Sequence, residues 1–329
     1  MPELLLLSSV TPPMHEQLEA SFTVHDGRSG TDLSGKPGDG DLDGALRDHG
    51  ERIEAVFTDG HLGVAPDVLE RLPDLKMISC YGVGYDNIDA RACAERGIVV
   101  THTPDVLNDE VANTAVALLL ATDRRIVAYD RYIREGRWKS EGAPPLTRGL
   151  RAKTVGMVGF GRIGQTIAGK LEAFGADVVY HARSGKNVSQ RFYGDLVEMA
   201  RDSDILVVIT PGGPATRHLV SRDVIEALGP EGTLVNVARG TVVDEAAMVE
   251  ALGDGTLGAA GLDVFEREPD VPDALLALDN VVLTPHIGSA TRETRAAMGQ
   301  LAVDNAVEFF RHGTVRTPVP ECREIAKVA

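Results

Sequence analysis

Three side chains of this sequence stand just past apolar runs, where polar chemistry would be placed. Arg239 follows Val235-Asn236-Val237-Ala238, and Glu268 follows Asp263-Val264-Phe265-Glu266-Arg267 and precedes Pro269. His286 follows Leu283-Thr284-Pro285. An arginine grips a carboxylate and polarises the adjoining carbonyl through two parallel hydrogen bonds. A histidine hands a proton to a forming alkoxide, and a nearby carboxylate favours its charged form. The three residue types together suit reduction of a 2-keto acid. Singly, each has a plainer reading: a surface ion-pair arginine, a solvated loop acid and a satisfied histidine. Spacing alone does not bring them together.

A second pattern concerns a phosphate-bearing ligand. The glycines Gly159-x-Gly161-x-x-Gly164 follow the apolar run 154–159, and Ile163, Ile167, Ala168, Leu171 and Phe174 then recur at helical steps up to Gly175. A second apolar run, Val178-Val179-Tyr180, completes a strand-helix-strand unit. Gly159 would make the tight turn, Gly161 would let a pyrophosphate approach, and Gly164 would let helix and strand pack closely. The N–H groups at the helix start, around Gly161, Arg162, Ile163 and Gly164, would hold the phosphates. An ordinary glycine-rich turn is the plainer alternative, and the flanking strand and helix argue against it.

The elements that must position these groups alternate along the chain. Strands are expected at 4–8, 55–58, 76–80 and 98–101, with helices at 67–71 and 89–96, which implies a small parallel sheet covered on both faces. Residues 26–44, rich in Gly and Asp, read as a solvated loop. Within them Asp39-x-Asp41-x-Asp43-Gly44 mimics the start of a calcium loop, but Gly50 stands where the bidentate Glu is needed. Asn108 reads as an N-cap, with Asp109 and Glu110 favouring the dipole of a helix reaching Arg134, about 40 Å long. Gly136, Gly142 and Pro144-Pro145 mark an irregular segment, 136–149, that contains the single tryptophan, Trp138. Further strands are expected at 204–209, 233–237, 259–264 and 281–283, with helices at 221–228 and 244–252. A last amphipathic helix, about 291–311, would return to the first domain. The expected organisation is α/β, with two doubly wound parallel-sheet domains: residues 1–102 with 289–329, and residues 103–288.

Composition bounds the partners. A chain of 329 residues is too long for one core, so two domains are expected. Its formal net charge of −16 leaves no basic surplus for nucleic acid or an anionic membrane, though a local anion site stays compatible. The apolar run 4–7 is too short for a secretion signal and follows Glu3, and no stretch is long enough to span a bilayer. Cys80, Cys93 and Cys322 show no metal or disulfide spacing and read as reduced thiols. A cytoplasmic protein is expected.

Four ordered stretches carry a family resemblance: Tyr81-Gly82-Val83-Gly84-Tyr85-Asp86-Asn87-Ile88-Asp89, Asn236-Val237-Ala238-Arg239-Gly240, Gly261-Leu262-Asp263-Val264-Phe265-Glu266-Arg267-Glu268-Pro269 and Thr284-Pro285-His286-Ile287-Gly288-Ser289-Ala290-Thr291. The chain resembles the D-isomer-specific 2-hydroxyacid dehydrogenases over nearly its whole length. The resemblance implies a flavodoxin-like substrate domain, a Rossmann-like cofactor domain and a homodimer. It also implies that Arg239 binds the substrate carboxylate, that His286 donates or accepts the proton, and that Glu268 is its partner. Backbone N–H groups of Val83 and Gly84 would hold the carboxylate, Asp263 the nicotinamide amide, and Thr210, Pro211 and Gly288 would line the cofactor.

Departures narrow the branch. Cys80 stands where phosphoglycerate members of the family tend to carry an arginine, so a phosphorylated substrate loses an expected partner. Glu268 occupies the place of the glutamine of related formate dehydrogenases. The stretch Tyr180-His181-Ala182-Arg183-Ser184 lacks the acid that holds an NAD ribose and offers Arg183 and Ser184 to a 2′-phosphate, with Asp177 at the wrong end of its strand. NADP(H) is therefore expected over NAD(H), in a reductase acting on a small 2-keto acid of the glyoxylate, hydroxypyruvate or hydroxyphenylpyruvate type. The alternatives are a D-lactate or phosphoglycerate type of dehydrogenase, and a nucleotide-sensing corepressor that binds without turning over.

Overall fold

The computed structural model describes residues 1–28 and 39–329. The chain divides into two compact units, Met1–Leu107 with Arg292–Ala329, and Asn108–Thr291. In the first, β1 (Glu3–Leu6), β2 (Thr23–Asp26), β3 (Ile53–Asp59), β4 (Met77–Tyr81) and β5 (Val99–Thr101) form a parallel sheet ordered β2-β1-β3-β4-β5. This is the flavodoxin order, whose switch point lies between β1 and β3. Leu5, Val56, Ile78 and Val100 are buried, as near-continuous apolar strands require when both faces of a sheet are covered.

In the second unit, β6 (Thr154–Val158), β7 (Asp177–His181), β8 (Arg191–Tyr193), β9 (Ile205–Val208), β10 (Thr233–Asn236), β11 (Ala259–Leu262) and β12 (Val281–Leu283) form a parallel sheet. Its order, β12-β11-β10-β9-β6-β7-β8, is the doubly wound Rossmann order with the switch point between β6 and β9. Val158, Leu206, Leu234 and Leu262 are fully or almost fully buried in its core, each stabilising by roughly 1.5–3 kcal/mol.

Three expectations are corrected. The helix starting at Asn108 stops at Asp123, and a second, Ile126–Arg134, starts after Arg125 adopts φ 51°. The first helix therefore spans only about 24 Å. Its end is tethered: buried Asp123 accepts from Thr233 Oγ1 at 2.6 Å and from Arg148 at 2.9 Å. The segment 136–149 is not wholly irregular, since Arg137–Glu141 is helical between left-handed Gly136 and Gly142, which also has positive φ. The expected loop 26–44 lies partly outside the described residues. Its end is the start of a helix, Leu42–His49, capped by Asp41, which accepts from Gly44 N at 2.9 Å. Asp43 pairs with Arg71 at 2.8 Å. Two of the acids that mimic a calcium loop, Asp41 and Asp43, thus cap and brace a helix. Among the described residues no helix is long and apolar enough to cross a membrane.

Candidate active site

The parallel order makes β10, β11 and β12 neighbours with their C-terminal ends on one edge. Arg239, Glu268 and His286 all follow those ends. Asn236, buried at the end of β10, holds the Arg239 turn: its Oδ1 accepts from Ala238 N and its Nδ2 donates to Arg239 O, both at 3.0 Å. Gly240 is needed there because a Cβ would stand 1.9 Å from the Phe265 carbonyl carbon. The arginine turn and the Glu268 loop therefore pack backbone to backbone. Glu268 Oε1 accepts from Phe265 N at 3.0 Å, and Oε2 lies 2.7 Å from His286 Nδ1. Glu245 Oε2 braces the same loop by accepting from Glu266 N at 3.0 Å. Burial pushes the Glu245 carboxyl above its ordinary range.

His286 sits in the left-handed region, φ 52°, a conformation that costs a non-glycine residue about 1–3 kcal/mol. Asp263, almost wholly buried, offsets it. One carboxylate oxygen accepts from Thr284 Oγ1 at 2.7 Å and Ile287 N at 2.8 Å, and the other from Gly288 N at 2.8 Å. The Asp263 carbonyl accepts from His286 N at 2.8 Å. Asp263 and Gly288, both expected beside the cofactor, are thus bonded to each other.

The glycine turn fits a dinucleotide. Gly159 has φ 101°, and a Cβ on it would meet Ile209 O at 2.5 Å. A Cβ on Gly164 would meet Gly159 O at 2.7 Å. Gly161, at the N-cap of the helix Arg162–Ala173, has nothing within 4 Å of where its Cβ would be. Two glycines close the turn and the third leaves open space over the helix N-terminus, the arrangement a pyrophosphate needs. Across the switch point, the Oγ1 of Thr210 is buried without a protein partner, and Pro211 follows it.

In the first unit the turn after β4 has its carbonyls engaged. Gly82 O accepts from Thr103 N at 2.8 Å, Val83 O from His102 Nδ1 at 3.0 Å and Gly84 O from Cys80 Sγ at 3.6 Å. Gly60 supports it closely, since a Cβ there would stand 1.8 Å from Gly84 O. Among the described residues, neither Val83 N nor Gly84 N donates to a protein acceptor.

Residues 116–288 match the model of the D-isomer specific 2-hydroxyacid dehydrogenase, NAD binding domain. The chain is 48% identical to the hydroxyphenylpyruvate reductase of Plectranthus scutellarioides over 82% of its own length and 86% of the relative's. It is 42% identical to the 2-ketogluconate reductase of Gluconobacter oxydans over 97% and 98%. Among solved structures, the NADPH-dependent glyoxylate/hydroxypyruvate reductase of Sinorhizobium meliloti, in complex with NADP and malonate, superposes with a TM-score of 0.88. It is 43% identical and covers 98% of this chain and 97% of that one. The chain belongs to the D-isomer specific 2-hydroxyacid dehydrogenase family. It is an NAD(P)-dependent oxidoreductase of 2-keto and 2-hydroxy acids.

In this dehydrogenase Arg183 and Ser184 are exposed just past the end of β7, whereas Asp177 begins that strand. Asn236, Gly240 and Glu245 support the turns without standing out in the sequence analysis. Asn236 carried a usable signal, because an Asn ending a strand commonly bonds the backbone two residues on. Gly240 and Glu245 carried none, since their partners come from a strand pairing the chain does not announce. Asp263→Asn should lower the urea midpoint and reduce turnover at least about tenfold, because an amide N–H₂ must face an N–H or hydroxyl donor, a loss of about 1–3 kcal/mol. Cofactor affinity, measured by fluorescence titration, should change less than turnover; parental turnover would show that the turn does not depend on this carboxylate.

Proposed function

We propose that this dehydrogenase works as a cytoplasmic, NADPH-preferring reductase that converts a small 2-keto acid of the glyoxylate or hydroxypyruvate type to its D-2-hydroxy acid. The observation carrying this reading is the His286–Glu268 pair at 2.7 Å, placed at the same sheet edge as Arg239. The relatives named for glyoxylate, hydroxypyruvate and hydroxyphenylpyruvate support the substrate class. Cys80, buried beneath its turn, offers no charge to a substrate phosphate. Cys80, Cys93 and Cys322 are buried thiols with no disulfide, in keeping with a reducing compartment.

In this reading the Val83 and Gly84 N–H groups and the Arg239 guanidinium bind the substrate carboxylate, and Arg239 also polarises the keto oxygen. Bound nicotinamide supplies the hydride. Glu268 holds His286 through Nδ1, so Nε2 carries the proton delivered to the forming alkoxide. Gly159, Gly161, Arg162, Ile163 and Gly164 form the pyrophosphate cradle, Thr210, Pro211, Asp263 and Gly288 line the nicotinamide half, and Arg183 with Ser184 takes the 2′-phosphate.

The test is NADPH oxidation with a panel of 2-keto acids; absence of turnover with all of them would return the protein to the binding-only alternative. His286→Ala should lose about 10²–10⁴ in turnover, and near-parental rates would remove the mechanism. Glu268→Gln keeps shape but removes the charged acceptor 2.7 Å from His286 Nδ1, so turnover should fall at least about tenfold, the loss of about 1.5–3 kcal/mol for a charge-assisted hydrogen bond. Parental turnover would detach Glu268 from the proton transfer.

Cofactor choice is tested separately. Arg183→Ala should weaken NADPH roughly 10- to 150-fold, the value of one charge-assisted bond at about 1.5–3 kcal/mol. NADH binding should stay nearly constant, and equal weakening of both would overturn the assignment.

We also propose a homodimer built on the arm after Asp123. Ile126, Ile133, Trp138 and Leu146 are exposed there, Trp138 by 59% and Leu146 completely. Aromatic and aliphatic side chains grouped on one arm suit a second copy of the chain better than water. Sedimentation velocity at micromolar concentration should give twice the 35.1 kDa chain mass, and a monomer would refute it.

A further inference from the structure

A cluster in the first unit lies outside every role assigned so far. Glu3 begins β1, His25 lies in β2, and His49 ends the helix Leu42–His49. Glu3 pairs in register with Thr23, so alternation puts His25 on the same sheet face. His25 Nε2 lies 2.9 Å from Glu3 Oε2, and His49 Nδ1 lies 4.0 Å from the same oxygen. All three ligand atoms lie within 4.8 Å of one another. The imidazoles stack with centroids 4.0 Å apart, and all three residues are partly buried.

Arg52 completes the cluster. Its Nε donates to Glu3 Oε1 at 2.8 Å, and its NH2 group lies 2.7 Å from His49 Nδ1. A guanidinium only donates, so His49 Nδ1 presents a lone pair, the form that binds a metal. The protein thus already holds a cationic group between a carboxylate and an imidazole nitrogen. As an ion pair alone, with Arg52 58% exposed, the arrangement would be worth at most about 1 kcal/mol.

We propose that Glu3, His25 and His49 form a binding site for a divalent transition cation of the zinc class, with Arg52 occupying the ion's place until it rotates out to solvent. The 2.9 and 4.0 Å separations bracket the roughly 3.3 Å between ligands on a tetrahedral ion with bonds of about 2.0–2.1 Å. Two imidazoles and one carboxylate select a borderline ion over magnesium or calcium, which take oxygen ligands. For both lone pairs to reach one ion, the imidazoles must open from their 21° stack. His25 must also pass the Nε2 proton that it donates to Glu3 on to Nδ1 or to solvent. Water would fill the fourth position. The bound ion would join β1, β2 and the end of a helix, segments far apart in sequence, and so stabilise this unit.

The test uses the full chain, titrated with Zn²⁺ by calorimetry and with Co²⁺ by visible absorption, with circular dichroism confirming that each variant is folded. Arg52→Ala should bind Zn²⁺ at least about tenfold tighter than the parent, because a competing cation is gone. Adding His25→Gln or His49→Gln to that variant should weaken binding at least about tenfold and abolish the Co²⁺ bands of a nitrogen-ligated site. Since His49 is the more exposed of the two, its variant keeps the test decisive if the His25 variant fails to fold. Binding that ignores both histidine substitutions would place the ion elsewhere and overturn the proposal, as would Arg52→Ala binding no tighter than the parent.

Discussion

The candidate site depends on one buried carboxylate. Asp263 follows β11 directly and takes the N–H groups of Ile287 and Gly288, with the Thr284 hydroxyl, from the turn after β12. A buried charge is tolerable only when several donors surround it, and a left-handed histidine only when its surroundings over-determine it. Each condition meets the other here. The strain at His286 is held by donors that the carboxylate needs, and both belong to adjacent parallel strands. His286 is therefore fixed against the sheet by the turn that carries it.

The same economy recurs where loops meet. Gly240 lets the Arg239 turn lie on the backbone of the Glu268 loop, and Gly60 lets β3 end directly beneath the turn carrying Val83 and Gly84. In both places a side chain would force the two backbones apart. These glycines differ from Gly159, whose positive φ makes the turn itself. Electrostatics is arranged locally as well. The chain carries a formal charge of −16, yet within the second unit the N-terminus of the helix Arg162–Ala173 presents positive potential at the glycine turn. Bulk charge governs solubility and long-range encounter, whereas oriented dipoles act within a few ångströms.

The regions that read poorly share a cause. Thr23–Asp26 is an edge strand with polar residues and no apolar alternation, so nothing in it announces pairing with β1. Asp39, Asp41 and Asp43 read as loop because a helix cap and a cation loop draw on the same residue types. The break at Arg125 has no glycine or proline to mark it. Asp123, bonded to Thr233 and Arg148, secures the end of the first helix to β10, a partnership spanning more than a hundred positions.

Local pattern alone determined the α/β class, the dinucleotide turn at Gly159, Gly161 and Gly164, and the strand ends bearing Arg239, Glu268 and His286. Those features rest on apolar runs, glycine conformational freedom and helix periodicity, all of which act over a few residues. Four longer stretches added the family. Only tertiary structure decided that Glu268 meets His286 at 2.7 Å, that Asp263 supports the turn beneath it, and that Glu3, His25 and His49 gather around Arg52. Such contacts depend on which strands lie side by side and in what register. That choice comes from burial summed over a whole sheet, and no short stretch of residues carries it.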